Sequence, residues 1–150
     1  MSTPKTAEGY FDRHLQEKTS NGNLHPSDDW YERDYRDAEE ILQAFNDLNW
    51  HGLKKIFAER SHIWQEACVF VLGEYDNDGS VRTLTEIFLD GSDKISCYVA
   101  IFLSVQDGTV FGDKKTQVAV RVEELIYDDN FKQFGGHYLV TLEKLRDLVK

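Results

Sequence analysis

Seven carboxylates between residues 74 and 107 are the side chains whose type and spacing suggest a shared chemistry. Most of them fall where turns between helices are predicted, and they are Glu74, Asp76, Asp78, Glu86, Asp90, Asp93 and Asp107. Carboxylates exposed at successive turns form a negative surface that attracts and orients a basic protein. We therefore predict a partner-binding surface, with Trp50, Tyr75 and Tyr98 as candidate aromatic anchors. The alternative is that these carboxylates are ordinary solubilising charge.

The distribution of charge along the chain agrees with a local acidic surface. The 150 residues include 27 acidic and 17 basic side chains, for a net charge of -10. Residues 61–110 contain eight acids and two bases, and residues 27–60 contain nine and five, whereas both ends of the chain are neutral. Because phosphate binding requires clustered Lys and Arg, we expect no nucleic-acid partner. A basic protein is the partner that this charge favours.

Motifs for catalysis, metals and cofactors are weak or missing. Asp76–Ser80 is similar to the start of a calcium loop, but its glycine falls at position 4 and Ile87 at position 12, which does not fit an EF-hand. The five histidines form no H-E-x-x-H arrangement and no Cys-x-x-Cys occurs, so no metal site is predicted. Phosphate-binding glycine loops and a nucleophile elbow are also missing. We predict that the chain is not an enzyme and uses no cofactor.

Seven apolar stripes at helical spacing predict the elements that position the carboxylates. The first helix starts at the cap Ser27 and is expected to run to about Leu48. The other stripes begin at Trp50, Trp64, Val81, Ile95, Val118 and Tyr138. The alternation of Gln117–Val122 and the strand formers in Tyr98–Val105 leave a mixed α+β fold as the alternative.

The N-terminal residues differ in composition from the rest of the chain. Residues 1–26 are polar and contain both prolines. We expect them to form a flexible or loosely packed arm, with a short helix around Tyr10–Glu17. Residues 27–150 are expected to form a single α-helical repeat domain.

An internal repeat appears when the sequence is shifted by 31 residues. Between residues 53–76 and 84–107, six of 24 pairs are identical, among them Leu53 with Leu84 and Ser61 with Ser92. A period of about 30 residues with two helices per unit is the signature of a helical solenoid.

These units resemble HEAT-like repeats. The helix–Gly–turn–helix pattern is matched by Trp64–Gly73 followed by Ser80–Asp90, and the next unit begins at Lys94. The resemblance covers residues 50–107 and departs from the pattern at Tyr98 and Ser104. It implies a small all-α solenoid of antiparallel helix pairs with about six to seven helices. It also implies a binding scaffold more often than an enzyme.

A small, acidic, cysteine-poor helical solenoid is similar to bacterial immunity proteins. That resemblance implies stoichiometric binding and occlusion of a basic, nuclease-like toxin. The first alternative is a HEAT-type adaptor or assembly factor that binds a peptide or protein subunit. The second is a HEAT-like enzyme, which would need a basic concave face. No secretory leader or membrane span is visible, and both cysteines lie in apolar stretches, so a cytoplasmic protein is expected.

Overall fold

All regular secondary structure in the described part of the computed structural model is helical. This part comprises residues 4–20, 26–128 and 138–150, and these residues contain no β-strand. They form eight α-helices, which are α1 (Ala7–Thr19), α2 (Tyr35–Leu42), α3 (Asp47–Ala58), α4 (His62–Tyr75), α5 (Asp78–Asp90), α6 (Asp93–Leu103), α7 (Lys115–Ile126) and α8 (Tyr138–Leu148). A π-helical turn, Trp30–Asp34, leads into α2, and a 3-10 segment, Gly108–Lys114, precedes α7. The predicted all-α fold is confirmed, and the α+β alternative is wrong because its candidate strands lie largely within α6 and α7.

The structure contains more helices than the six to seven predicted. The additional helix is α1, which includes the short helix expected around Tyr10–Glu17 but begins earlier, at Ala7 behind the N-cap Thr6. Its core contacts come from Phe11 and Leu15, which lie four residues apart and are fully buried. The described part of the N-terminal segment therefore contributes two large apolar side chains to the core.

The helix predicted from Ser27 to about Leu48 is interrupted. Helix α2 ends at Leu42, and α3 begins after Asn46. Asn46 accepts a hydrogen bond from the Asn49 backbone N–H at 3.0 Å, and its own N–H donates to the Asn49 side chain at 2.8 Å. This reciprocal capping box starts a new helix before the end of the helix that the apolar spacing predicts.

The 31-residue repeat extends to the helix boundaries and their caps. The hairpins α3–α4 and α5–α6 start at Asp47 and Asp78, and their second helices start at His62 and Asp93. Each of the four helices has a polar cap at the equivalent place, namely Asn46 and Asn77 for the first helices and Ser61 and Ser92 for the second. The hairpin is therefore a repeated unit, whereas stacking of these units into a solenoid stays a prediction.

The chain divides into two compact units, Met1–Ser80 and Val81–Lys150, whereas the sequence predicts a boundary after residue 26. In the first unit, α1 packs against α2, α3 and α4. Arg60 joins α1 to the turn before α4, because its guanidinium donates to both carboxylate oxygens of Asp12 at 2.8 and 2.7 Å. Burial would raise the pKa of Asp12, but the hydrogen bonds from Arg60 and Gln16 outweigh burial and lower it.

In the second unit, α8 packs against α6 and α7, and Arg121 of α7 joins α7 to the α5–α6 turn. Its side chain is only 14% exposed. The guanidinium donates hydrogen bonds of 3.0 to 3.2 Å to the carbonyls of Phe88 and Gly91, the carboxylate of Asp93 and the hydroxyl of Ser96. One arginine therefore satisfies the last carbonyls of α5 and the first turn of α6 together.

We predict that Arg121→Met lowers the free energy of unfolding by about 2–4 kcal/mol, because it removes hydrogen bonds to four groups and leaves the Asp93 carboxylate and the Gly91 carbonyl without this donor. Urea denaturation measures the loss. The matched control is Arg13→Met, which removes an exposed i,i+4 pair with Glu17 and should change stability by less than about 1 kcal/mol. Equal losses in both variants would contradict a structural role for Arg121.

Candidate functional site

The turn between α4 and α5 presents three of the predicted carboxylates together. Glu74, Asp76 and Asp78 are all exposed. Asp76 ends α4 in the left-handed region, with φ 51° and ψ 49°, and its N–H donates to the Leu72 carbonyl at 3.2 Å. Asp and Asn tolerate this conformation better than most residues. The position therefore has a backbone reason for its aspartate besides any role in binding.

Local hydrogen bonds also restrain the C-terminal part of this turn, where α5 begins. The Asn77 N–H donates to the Ser80 hydroxyl at 2.9 Å, and the Ser80 N–H donates to the Asn77 side chain at 2.8 Å. This capping box starts α5 at Asp78, with only Asp76 and Asn77 between it and the end of α4 at Tyr75. We name residues 74–78 the acidic turn. Its carboxylates are attached to a backbone that is hydrogen-bonded on both sides.

Trp50 packs against Gly79, the residue that follows the acidic turn, and is not a surface anchor. Its side chain is 7% exposed, and its ring meets Phe45 edge to face at 4.8 Å. The indole nitrogen also lies where a Cβ of Gly79 would be. The prediction of Trp50 as an anchor is therefore wrong, because the ring is used in the core. The other two candidates, Tyr75 and Tyr98, are partly exposed.

A fourth carboxylate near the acidic turn is missed by the sequence analysis. Glu39 of α2 is partly exposed, and burial followed by the negative charge of Glu74 raises its pKa, against a smaller opposite effect of Arg36. Because α2 packs against α4, two carboxylates 35 residues apart in the sequence repel each other. No spacing rule within one helix could have revealed this pair.

The predicted carboxylates of the second unit have different surroundings from one another. Asp90 is exposed at the end of α5, and Glu86 is partly exposed one turn earlier. Asp107 caps the 3-10 segment, and its pKa is lowered by the hydrogen bonds from the backbone and side chain of Thr109. Asp90 and Asp93 flank the α5–α6 turn, whereas Asp107 begins a separate segment.

Asp93 differs from the others because it takes part in structural contacts. It accepts a hydrogen bond from Arg121 at 3.0 Å. Its pKa is raised, first by a hydrogen bond shared with Asp128 and then by burial, and these effects outweigh the opposing contact with Arg121. The predicted binding role of Asp93 would therefore compete with its role in joining α6 to α7.

Other reactive groups of the described residues have ordinary structural explanations. His62 and Glu66 form an i,i+4 pair at 2.9 Å. Both cysteines are buried free thiols, as predicted, and burial raises the pKa of Cys97 to about 12 and that of Cys68 well above its ordinary value. Within residues 4–20, 26–128 and 138–150, no cluster of three metal-ligating side chains occurs. No helix in these ranges has both the length and the apolar character needed to cross a bilayer.

We predict that Gly79→Ala destabilises the first unit by about 1–3 kcal/mol, because the added methyl overlaps the indole of Trp50. Urea denaturation followed by tryptophan fluorescence measures the change. The matched control is Gly52→Ala, for which the three atoms nearest to the added Cβ all belong to the flexible side chain of Glu8. Its gain in helix propensity of about 1 kcal/mol should offset the shift of that side chain. If the two variants are equally stable, the turn does not rest on Trp50.

We predict that Glu74→Gln lowers the pKa of Glu39 towards its ordinary value, because the variant removes a neighbouring negative charge. The effect of burial remains, so the shift is only partly reversed. A carbon-detected NMR titration of the Glu39 carboxyl measures it. The control Glu143→Gln removes an exposed carboxylate of α8 and should leave the Glu39 titration unchanged. An unchanged pKa in Glu74→Gln would mean that the two carboxylates do not interact.

No protein-family model, curated protein or solved structure matches this chain. The resemblance to HEAT-like repeats stays a prediction based on the residues of the repeat.

Proposed function

We propose that this chain is a protein-binding scaffold, and that it acts as an immunity protein which binds and occludes a basic, nuclease-like toxin. The observation that carries the proposal is the acidic turn, where Glu74, Asp76 and Asp78 are exposed on a hydrogen-bonded backbone. It lies within residues 61–110, which contain eight acids and two bases. In this proposal the protein is not an enzyme and works in the cytoplasm.

Occlusion would follow from charge complementarity and from the stiffness of the turn. A negative surface accelerates encounter with a basic protein and selects it from neutral partners. Carboxylates on a restrained backbone lose less conformational freedom on binding than carboxylates on a mobile loop. Positioned over a nuclease, they would replace the phosphates of its substrate. In the second unit, Glu86, Asp90 and Asp107 remain candidate contacts of their own, and Asp93 would contribute less because Arg121 already binds it.

A second candidate function is that of an adaptor that holds a peptide. The observation that favours it is a groove of about 490 Å³ in the first unit, between α1 and the end of α2. Its lining is mainly apolar and includes Tyr10, His14, Ile41 and Ala44. An adaptor using this groove would bind with little dependence on salt, in contrast to binding through carboxylates.

We predict that the double variant Asp76→Lys, Asp78→Lys weakens partner binding at least about tenfold, because like charges then face each other in the complex. The partner is obtained by co-purification with the tagged protein from its native host, and its affinity is measured by calorimetry. The control Asp113→Lys, Glu143→Lys makes the same change in net charge at two exposed carboxylates from the neutral end of the chain. It should weaken binding less than about threefold, a difference of under 1 kcal/mol.

Two further measurements decide the proposal. The captured protein should be basic and lose its own toxic activity in a stoichiometric complex, and its affinity should fall steeply as salt is raised. An affinity that is insensitive to both salt and the reversal of Asp76 and Asp78 would reject the acidic turn. Such a result would favour the adaptor. Binding of DNA by the purified chain at about 150 mM salt would reject both functions.

A further inference from the structure

Three partly exposed aromatic rings lie together on the α2–α4 side of the first unit. Phe70 of α4 meets Tyr31 at 4.8 Å and Tyr35 at 5.2 Å between ring centroids, with interplanar angles of 87° and 85°. Rings at right angles hold one another in place, since the positive edge of one meets the negative face of the next. The cluster is therefore an ordered aromatic surface rather than three independent side chains.

The two interacting carboxylates continue this surface by one helical turn. Glu39 follows Tyr35 by four residues, and Glu74 follows Phe70 by four, so each carboxylate lies on the same helical face as a ring. We name Tyr31, Tyr35, Phe70, Glu39 and Glu74 the aromatic–acidic strip. Glu74 also belongs to the acidic turn, so the strip is continuous with the surface proposed above.

The chemistry of the strip favours a planar cation. The faces of tyrosine and phenylalanine rings attract cations, and Arg36 already lies with its guanidinium carbon 6.0 Å from the Tyr35 ring centre, the outer limit of such contacts. Glu39 and Glu74 repel each other, Arg36 offsets this effect on Glu39 only in part, and a cation between the two carboxylates would relieve the remainder. A guanidinium can stack on a ring and donate paired hydrogen bonds to a carboxylate, whereas an ammonium is a strongly hydrated point charge.

We propose that the aromatic–acidic strip binds an arginine side chain of the basic partner, between the carboxylates of Glu39 and Glu74 and against the rings of Tyr35 and Phe70. This inference rests on the proposed function, since it takes the partner to be a basic protein. It adds the identity of the contacting group and moves the centre of the contact from the acidic turn to the face shared by α2 and α4.

The experiment compares an arginine homopeptide with a lysine homopeptide of equal length as probes of the full chain. Both peptides carry the same charge, so the ratio of their affinities isolates recognition of the guanidinium. We expect the wild type to bind the arginine peptide about threefold to tenfold more tightly, in line with the strength of cation–π contacts. In Tyr35→Leu the ratio should fall towards one, and in Tyr35→Phe, which keeps the ring, it should persist. Glu39→Gln should weaken both peptides.

The matched control is Tyr127→Leu. Tyr127 is 76% exposed and follows Glu123 and Glu124 in the sequence, so it combines a ring with carboxylates. Among the described residues, no ring contact of Tyr127 occurs. Its substitution should leave the ratio unchanged. Circular dichroism of each variant establishes that it is folded, and Tyr35→Phe keeps the test valid should Tyr35→Leu unfold.

The outcomes separate this inference from the proposed function. Equal affinities of the wild type for both peptides, with a steep loss in salt, would overturn the arginine contact and leave the acidic surface intact. An arginine preference that survives Tyr35→Leu would also overturn it. Failure of both peptides to bind at low salt would overturn the basic partner itself. Self-association that removes the arginine preference on raising the protein concentration would assign the strip to a second copy of the chain and overturn the inference.

Discussion

Each unit is held by an arginine that is largely removed from water and neutralises a carboxylate of another helix. Arg60 binds Asp12 with two short hydrogen bonds in the first unit, and Arg121 binds Asp93 in the second. An acidic chain can fold only if the carboxylates that packing buries are compensated. With 17 basic side chains for 27 acidic ones, the cations are scarce, and these two bind carboxylates of other helices. The uncompensated carboxylates consequently remain at the surface.

Capping determines where those surface carboxylates lie. The reciprocal hydrogen bonds of Asn46 with Asn49 recur between Asn77 and Ser80, 31 residues later. In the second copy the cap directly follows Asp76, which ends the preceding helix in a left-handed conformation. The same local chemistry that repeats the hairpin therefore leaves a turn so short that its carboxylates cannot move far apart. Packing of Trp50 against Gly79 supports the turn from the core side.

Local patterns in the sequence predict most of the helices and the repeat, but contacts between elements are beyond them. Helices α3 to α8 follow apolar stripes, whereas α1 is expected only as a short helix around Tyr10–Glu17, because just two large apolar side chains, Phe11 and Leu15, enter the core from it. For Trp50 the residue type allows an anchor or a core position, and only packing against Gly79 decides. The exposure of Asp76 and Asp78 follows from their turn. The attachment of Asp93 to Arg121 and the repulsion of Glu39 by Glu74 join residues at least 28 positions apart, and no helical period connects them.

The raised pKa of Glu39 bears on how such a surface could bind tightly. Burial and the charge of Glu74 disfavour the ionised form of Glu39 in the free protein, so the free state contains an electrostatic cost that Arg36 relieves only in part. A cation placed between the two carboxylates would remove that cost on binding, and the carboxylates would not need to be reorganised first. Linkage then requires that binding lowers the pKa of Glu39 and that protons compete with the cation. Between the ordinary pKa of a glutamate and the raised value in the free protein, affinity should therefore increase with pH. A flexible acidic loop would lack this dependence, because its carboxylates could separate and avoid the repulsion in the free state.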